Sequence, residues 1–214
     1  MKDFKLYAIT GEQFHPGKDM LDVMEQAILG GVDIIQLRDK SGDIEAIRKK
    51  AVALRQLTAK YGVTYIVNDY IDIALEVDAD GVHLGQGDVP LAEARRRMGK
   101  KIIGISTHAI EEAIQAERDG ADYIGVGPIY PTKTKEDVVD PVTVSYVKEV
   151  ASTIKIPFVA IGGIKLHNVD EVIKAGATRI CAVSEIVGSD DIQRTCREFL
   201  SKLEKARAIH GIDH

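Results

Sequence analysis

Three groups of polar residues in this chain are of types that could handle phosphorylated molecules. The first is Gly127-Pro-Ile-Tyr-Pro-Thr-Lys-Thr-Lys135, which sets the hydroxyls of Thr132 and Thr134 among the ammonium groups of Lys133 and Lys135. Hydroxyls donate to phosphate oxygens and a lysine adds a compact positive charge. Such a loop after an apolar run, Tyr123-Ile-Gly-Val126, reads as an anion clamp and lid or as a solvated connector. The second is Gln36-Leu-Arg-Asp-Lys40. Residues two apart in extended chain lean to one side, so Arg38 and Lys40 join Gln36 while Asp39 points away. A guanidinium beside an ammonium binds a highly charged anion with forked contacts, unless either serves a surface ion pair. The third is Gly162-Gly163 with Ser184. Glycines let backbone amides approach an oxyanion closely, or they simply make a tight turn.

Carboxylates form a further group. Asp69 and Asp88, with the amide of Asn68, suit a hard divalent cation such as Mg2+ that also bridges phosphate oxygens. Asp88 precedes Val-Pro-Leu91, where a helix cap is the rival role. His108, after Ser106 and Thr107, is a general base, a substrate contact or a rim residue. His83 reads as a satisfied core histidine, and His210 and His214 lie in a frayed tail. Cys181 and Cys196 have no metal-ligand spacing and read as reduced core thiols. Nothing supports a hydride-transfer cofactor or a zinc cluster.

Every one of these groups follows a short apolar run. Strands are expected at Leu6–Ile9, Ile34–Leu37, Tyr65–Val67, Val82–Leu84, Ile102–Ile105, Tyr123–Val126, Phe158–Ile161 and Ile180–Val183. Their Val, Ile and Tyr content without charge suits a parallel sheet buried on both faces. Between them run segments of helical period: Ile192, Cys196, Phe199, Leu200 and Leu203 share one face, as do Val169, Val172 and Ile173. A short third helix is expected near Ile71–Val77. Gly30-Gly-Val-Asp33, Asp119-Gly-Ala-Asp122 and Ala175-Gly-Ala-Thr178 place glycine where a helix stops and a strand begins. Eight β-α units predict an α/β fold, a (β/α)8 TIM barrel occupying residues 1–214 as one domain. A doubly wound sheet is the alternative, although Ile9-Thr-Gly-Glu12 opens no glycine-rich fingerprint. In a barrel, the loops after the strands build the active site, so the polar groups should meet at one mouth.

Composition narrows the function. The 214 residues are 45% apolar and 29% charged with a net charge of -5, which speaks against nucleic acid as partner. Arg95-Arg-Arg97 reads as the solvated face of a helix. No signal peptide and no apolar run of about 20 residues stands out, so a cytoplasmic location and no membrane partner are expected. The partners expected are small-molecule substrates, with a homo-oligomer left open. A mouth with one glycine-lined anion site and one cationic site beside a metal fits an enzyme joining a phosphorylated substrate to a diphosphorylated one. Neutralising charges make diphosphate a leaving group.

In order along the chain, Gln36-Leu-Arg-Asp-Lys40, Val67-Asn-Asp69, Gly81-Val-His-Leu-Gly-Gln-Gly-Asp88, Gly104-Ile-Ser-Thr-His108, Asp122-Tyr-Ile-Gly-Val-Gly-Pro128, Pro131-Thr-Lys-Thr-Lys135, Val159-Ala-Ile-Gly-Gly-Ile164 and Ala182-Val-Ser184 resemble the thiamine-phosphate synthase family. That family couples a pyrimidine diphosphate to a thiazole phosphate with Mg2+ and a dissociative mechanism. The resemblance implies that Gln36, Arg38, Lys40, Asn68 and Lys135 hold the diphosphate or pyrimidine end, and that Asp69 and Asp88 hold Mg2+. It implies that Ser106 contacts the pyrimidine, and that Thr132, Thr134, Gly163, Val183 and Ser184 hold the thiazole phosphate. Arg38, Lys40, Ser106 and Lys135 are thereby the expected catalytic residues. The chain departs from the family pattern at Asp39 (commonly Glu), Gly11 (Asp), Tyr70 (Arg) and Glu185 (Ala), the last beside the expected phosphate contacts. The rivals are a related thiazole tautomerase using His108 as acid-base residue and an idle thiazole-phosphate-binding regulator. Neither explains Asn68-Asp69, Asp88 and Thr132-Lys-Thr-Lys135 as well.

Overall fold

Residues 1–133 and 140–211 are described by a computed structural model. Thr134 and Lys135 of the expected anion loop, and His214, lie outside the described residues. Eight parallel strands close on themselves in chain order: β1 (Leu6–Ile9), β2 (Ile34–Leu37), β3 (Thr64–Asn68), β4 (Gly81–Leu84), β5 (Ile102–Thr107), β6 (Tyr123–Val126), β7 (Phe158–Ala160) and β8 (Ile180–Cys181). Around them lie α1 (Met20–Leu29), α2 (Ile44–Tyr61), α3 (Ile71–Glu76), α4 (Leu91–Met98), α5 (Ile110–Arg118), α6 (Thr143–Thr153), α7 (Val169–Lys174), α8 (Ser184–Val187) and α9 (Ile192–Ile209). The closed β1–β8 pairing excludes the doubly wound alternative. Two short elements were not foreseen, the 3-10 turn Glu12–Phe14 and α8.

Strand register decides what faces the barrel axis. Tyr7 pairs with Ile34, Ile9 with Gln36, Asn68 with His83, Ser106 with Gly125 and Tyr7 with Cys181. Paired residues point the same way and neighbours alternate, so these side chains turn inward. Leu6, Ala8, Ile35, Leu37, Val67 and Val82 turn outward and are fully or almost fully buried beneath the helices. On α9 the predicted face holds, with Ile192, Cys196, Phe199 and Leu203 buried and Leu200 partly so. Both cysteines are buried and outside any disulfide, and burial pushes the Cys196 thiol up to about 12.

The glycine stops behave as expected. Gly31, Gly120 and Gly176 take φ of 107°, 92° and 119°, and the next amide reaches back into the helix from Val32 to Ala27, from Ala121 to Ala116 and from Ala177 to Val172. Left-handed backbone ends each helix while satisfying its last carbonyls. Just beyond two of these stops, Asp33 accepts from the Lys5 and Leu6 amides and Asp122 accepts from the Ile103 amide. Asp80 does the same for the Tyr65 amide.

The N-terminal end of the barrel is sealed by charge as well as by Phe4, whose ring meets Tyr7 and Tyr123 edge-on at 6.1 and 6.0 Å. Arg207 of α9 is 0% exposed. It donates from Nη1 to Asp3 Oδ2 (2.6 Å), from Nη2 to the Phe4 carbonyl (2.7 Å) and from Nε to the Thr178 carbonyl (3.0 Å). One guanidinium thus ties the approach to β1 to the approach to β8. The basic run on α4 keeps Arg96 and Arg97 exposed as the solvated-face reading expects, and Arg95 is a correction to it. Arg95 donates to the Gly99, Lys101 and Gly120 carbonyls and to Asp122, so it clamps two loops, and Arg97 pairs with Asp72.

Arg207→Ala should destabilise the fold by at least about 2 kcal/mol in chemical denaturation, because it strands two buried carbonyls. Burial alone raises the pKa of Asp3, but hydrogen bonds from Arg207 and Arg179 outweigh it and hold the carboxyl at about 2, below its ordinary 3.8. A depressed folded-state pKa adds stability that is fully present above the unfolded value and is lost as pH falls through the folded one. Acid titration should therefore erode stability between about 3.8 and about 2. Asp3→Asn should flatten that step while lowering stability at neutral pH.

Candidate active site

All of the expected site residues that are described lie at or beyond the C-terminal ends of the strands. β2 ends at Leu37, so Arg38, Asp39 and Lys40 stand on the loop beyond it. Arg38 is anchored through its backbone: its amide donates to Thr10 Oγ1 (3.0 Å), and that hydroxyl donates back to the Arg38 carbonyl (3.1 Å). Asp39 points away as expected, toward α2, where Lys50 Nζ donates to Oδ2 at 2.8 Å. Burial would raise the Asp39 pKa, yet Lys50 and Ser41 hold it below its ordinary value. Lys40 turns across to β3 and pairs with Asp69.

Asp69 follows β3 directly and has φ of 69°, a left-handed backbone rare for a residue with a side chain. Its amide donates to the His83 carbonyl at 3.1 Å, which holds it beside the end of β4. Strain of this kind persists only where surrounding structure imposes it, and it concentrates at functional sites. Asp88 differs from expectation. β4 stops at Leu84, so Asp88 lies on an exposed turn, where Oδ2 accepts the Gly85 amide at 2.7 Å. It caps no helix, since α4 begins after Pro90 with no side-chain cap. Among the described residues, no cluster of three or more His, Cys, Asp or Glu could hold a metal.

Inside the mouth, a small pocket is lined by Tyr7, Ile9, Gln36, His83, Ser106, Tyr123, Gly125, Val159, Ile161 and Cys181. Gln36 and Asn68 are buried and Ser106 is half-buried. His83 is the satisfied core histidine expected, with Nδ1 2.8 Å from Tyr123 Oη and Nε2 2.7 Å from Ser106 Oγ. The sequence reading missed Tyr7 and Tyr123 as site residues. Each sits in an apolar strand run and looks like core until the register turns it inward.

The remaining groups come from the loops after β6, β7 and β8. The Ile129 and Tyr130 amides donate to the Ile161 and Gly162 carbonyls at 3.0 Å each, so the first part of the anion loop lies along the glycine pair. His108 Nδ1 is hydrogen-bonded to the Gly127 carbonyl at 2.8 Å, and the Val142 amide donates to the Pro128 carbonyl at 2.8 Å. Of the loop's predicted site residues, Thr132 is described and half-buried. Gly162 and Gly163 take φ of 106° and 65°, and a Cβ on Gly162 would lie 2.4 Å from Pro128 Cα. The Asn168 amide shapes the next turn, accepting from the Lys165 amide (2.8 Å) and donating to the Gly163 carbonyl (3.0 Å).

This turn carries a third missed residue. Lys165 Nζ donates to Ser184 Oγ at 3.0 Å, putting an ammonium between Gly163 and the start of α8, with Val183 just before it. The signal available in sequence was its place, two residues past Gly163 in a loop after β7. Glu185 is turned aside, its Oε2 accepting the Leu166 amide at 2.7 Å. At Gly11, a Cβ would lie 2.9 Å from the Phe14 ring, so that departure goes with an aromatic side chain filling the space.

A closed parallel (β/α)8 barrel whose candidate site residues gather at and beyond the strand ends has the architecture of a barrel enzyme. The chain belongs to the thiamine monophosphate synthase family, whose sequence profile matches residues 6–186, and it is accordingly a transferase. It is 64% identical to the thiamine-phosphate synthase of Halalkalibacterium halodurans over 96% of this chain and 98% of that protein. To the thiamine-phosphate synthase of Shouchella clausii it is 60% identical, over 96% and 99%. The solved thiamine phosphate pyrophosphorylase of Pyrococcus furiosus superposes with a TM-score of 0.85 at 35% identity, over 95% of this chain and 96% of that one. The family read from the motifs is therefore borne out, and none of these relatives supports the tautomerase or regulator reading.

Gly162→Ala should lower stability by about 1–3 kcal/mol, since it adds a side chain at positive φ against backbone. A thermal melt alongside Gly17→Ala, also at positive φ but with open space around the Cβ, separates the collision from the backbone term.

Proposed function

We propose that this chain couples 4-amino-5-hydroxymethyl-2-methylpyrimidine diphosphate to 4-methyl-5-(2-phosphooxyethyl)thiazole, releasing diphosphate and forming thiamine phosphate. The observation that carries this reading is that two separate groups of residues suited to anions stand at one barrel mouth. One lies beyond β2 (Arg38, Lys40) and the other beyond β7 and β8 (Gly163, Lys165, Ser184). One anion site would serve a tautomerase, whereas a transfer between two phosphorylated substrates requires two.

Roles follow from placement. Arg38 and Lys40, with Lys135, neutralise the diphosphate as it leaves. Gln36, Asn68 and Ser106 orient the pyrimidine against the pocket wall. The Gly163 and Ser184 amides, the Ser184 hydroxyl and Lys165 hold the thiazole phosphate, and Thr132, Thr134 and Val183 are assigned to the same group by the family resemblance. The 4-amino ring pushes electrons to its exocyclic methylene as the bond to diphosphate breaks, and the thiazole nitrogen captures the cation. No protein base is required, and the reaction depends on orientation and on charge placed before the bond breaks. His108 then serves the structure of the loop, through its bond to the Gly127 carbonyl.

The donors at the rim fit Mg2+. Asp69 and Asp88 would supply two carboxylates from the loops after β3 and β4, a hard oxygen set too small by itself to enclose an ion. Mg2+ prefers such a set because it keeps waters and takes substrate phosphate oxygens. When bound there, it supplies positive charge to the diphosphate. Among the described residues no helix is long and apolar enough to cross a membrane. That is consistent with catalysis in the cytoplasm on small soluble substrates.

Incubation with both substrates should yield thiamine phosphate and diphosphate, and no product from the wild type would overturn the reading. Lys165→Ala should raise KM for the thiazole phosphate about tenfold or more, the scale of a lost charged hydrogen bond, with KM for the pyrimidine diphosphate unchanged. Asp69→Asn should fold but lose most Mg2+-dependent turnover, and an unchanged response to Mg2+ titration would remove Asp69 from the metal site. His108→Ala should cost little, against the roughly 10²–10⁴-fold expected of a positioned base.

A further inference from the structure

A chain of hydrogen bonds crosses the barrel axis and ends at the mouth. Gln36 Nε2 donates to Tyr7 Oη at 2.7 Å, and Tyr7 Oη lies 2.7 Å from Tyr123 Oη. Tyr123 Oη lies 2.8 Å from His83 Nδ1, and His83 Nε2 lies 2.7 Å from Ser106 Oγ. Burial pushes both phenols well above their ordinary pKa, so each keeps the one proton it has to donate.

One proton per hydroxyl allows the chain a direction that begins at the Gln36 amide and uses every link. The Tyr7 oxygen receives the Gln36 N–H, which leaves its own proton for Tyr123. Tyr123, having accepted, donates to His83 Nδ1. A neutral imidazole with an acceptor at Nδ1 carries its proton on Nε2. That proton goes to Ser106 Oγ, and the Ser106 O–H is left to point out of the chain. Ser106 is half-buried and lines the pocket, so its remaining proton faces ligand.

We infer that Tyr7, Tyr123 and His83 are positioning residues that make Ser106 a hydrogen-bond donor toward the mouth, so that the ligand atom it meets is an acceptor. Resting on the function proposed above, that atom is a ring nitrogen of the pyrimidine and not its amino group. The arrangement suits a reaction that builds positive charge on the attached methylene. A neutral hydroxyl orients the ring, whereas an imidazolium in direct contact would oppose the charge that develops. His83 therefore stands one bond back, and Ser106 alone of the chain's hydroxyls meets the ring.

The first test needs no substrate. In 15N-histidine-labelled wild-type protein, two-bond 1H–15N correlations should show His83, identified by its shift in Ser106→Ala, as the Nε2–H tautomer. An Nδ1–H tautomer would reverse the chain and overturn the inference. The second test uses Tyr123→Phe, which keeps the ring and removes the donor to Nδ1. KM for the pyrimidine diphosphate should rise about 2- to 10-fold, the scale of one net hydrogen bond, with KM for the thiazole phosphate unchanged. In a Ser106→Ala background, Tyr123→Phe should add nothing further. Additive losses would reduce Tyr123 to packing and overturn its positioning role. Should Tyr123→Phe not fold, the tautomer decides alone. It also decides if the wild type makes no thiamine phosphate, an outcome that overturns the synthase reading and leaves the direction of the chain to the spectrum.

Discussion

Polar side chains on the axis of an eight-stranded barrel have only one another to bond to. An unpaired buried donor or acceptor costs about 1–3 kcal/mol, so the inward positions of neighbouring strands must be chosen together. Tyr7 on β1, Gln36 on β2, His83 on β4, Ser106 on β5 and Tyr123 on β6 meet that requirement as one connected series. Space for it is made by glycine. A Cβ on Gly104 would fall 2.1 Å from the Tyr123 ring, and one on Gly125 would lie 3.6 Å from His83. The large rings and missing side chains are two sides of one packing solution, and together they set how deep the mouth reaches.

The two ends of the barrel use the same residue types for opposite purposes. At the N-terminal end, Asp33, Asp80 and Asp122 accept backbone amides at the starts of preceding strands, and Arg207 and Arg95 donate to loop carbonyls. Those charges are taken up by backbone groups and by one another, Arg207 with Asp3 and Arg95 with Asp122, and their effect is to hold the ends of strands in place. At the C-terminal end, Lys40 meets Asp69 and Lys165 meets a hydroxyl, so side chains bond side chains across loops. Such pairs leave most of a lysine's or carboxylate's bonding capacity for a ligand. The positive φ at Asp69 belongs to this end, where backbone strain positions a carboxylate instead of ending a helix.

The loops after β6 and β7 show how remote segments share a task. Ile129 and Tyr130 bond to Ile161 and Gly162 much as strand residues would, although both segments lie past the ends of their strands. Gly162 allows this because its Cβ would collide with Pro128. The floor of the candidate phosphate site is thus a continuation of the sheet. It is tied to the end of β5 through His108.

What the sequence alone determined was periodicity. Apolar runs of strand length, helical faces such as Ile192 to Leu203 and glycines at helix ends specify eight β-α units, because each signal is local and repeats. The motifs at Gln36, Arg38, Lys40, Asn68, Asp69, Gly163 and Ser184 were legible because a barrel sends every strand end to one mouth. Tertiary structure decided the rest. Tyr7 and Tyr123 look like any aromatic residue in an apolar strand, and only register assigns them to the axis. Arg95 sits in a basic run that composition reads as solvated, and its acceptors come from the turn after α4 and from the return of the 120–122 loop. Asp88 was expected at a strand end and Glu185 beside the phosphate contacts, yet each turns to a backbone amide, Gly85 and Leu166. Lys165 acquires its place only when the loop after β7 folds against α8. In each case the partner is distant in the chain or set by a turn, and neither is encoded in the residue's own neighbourhood.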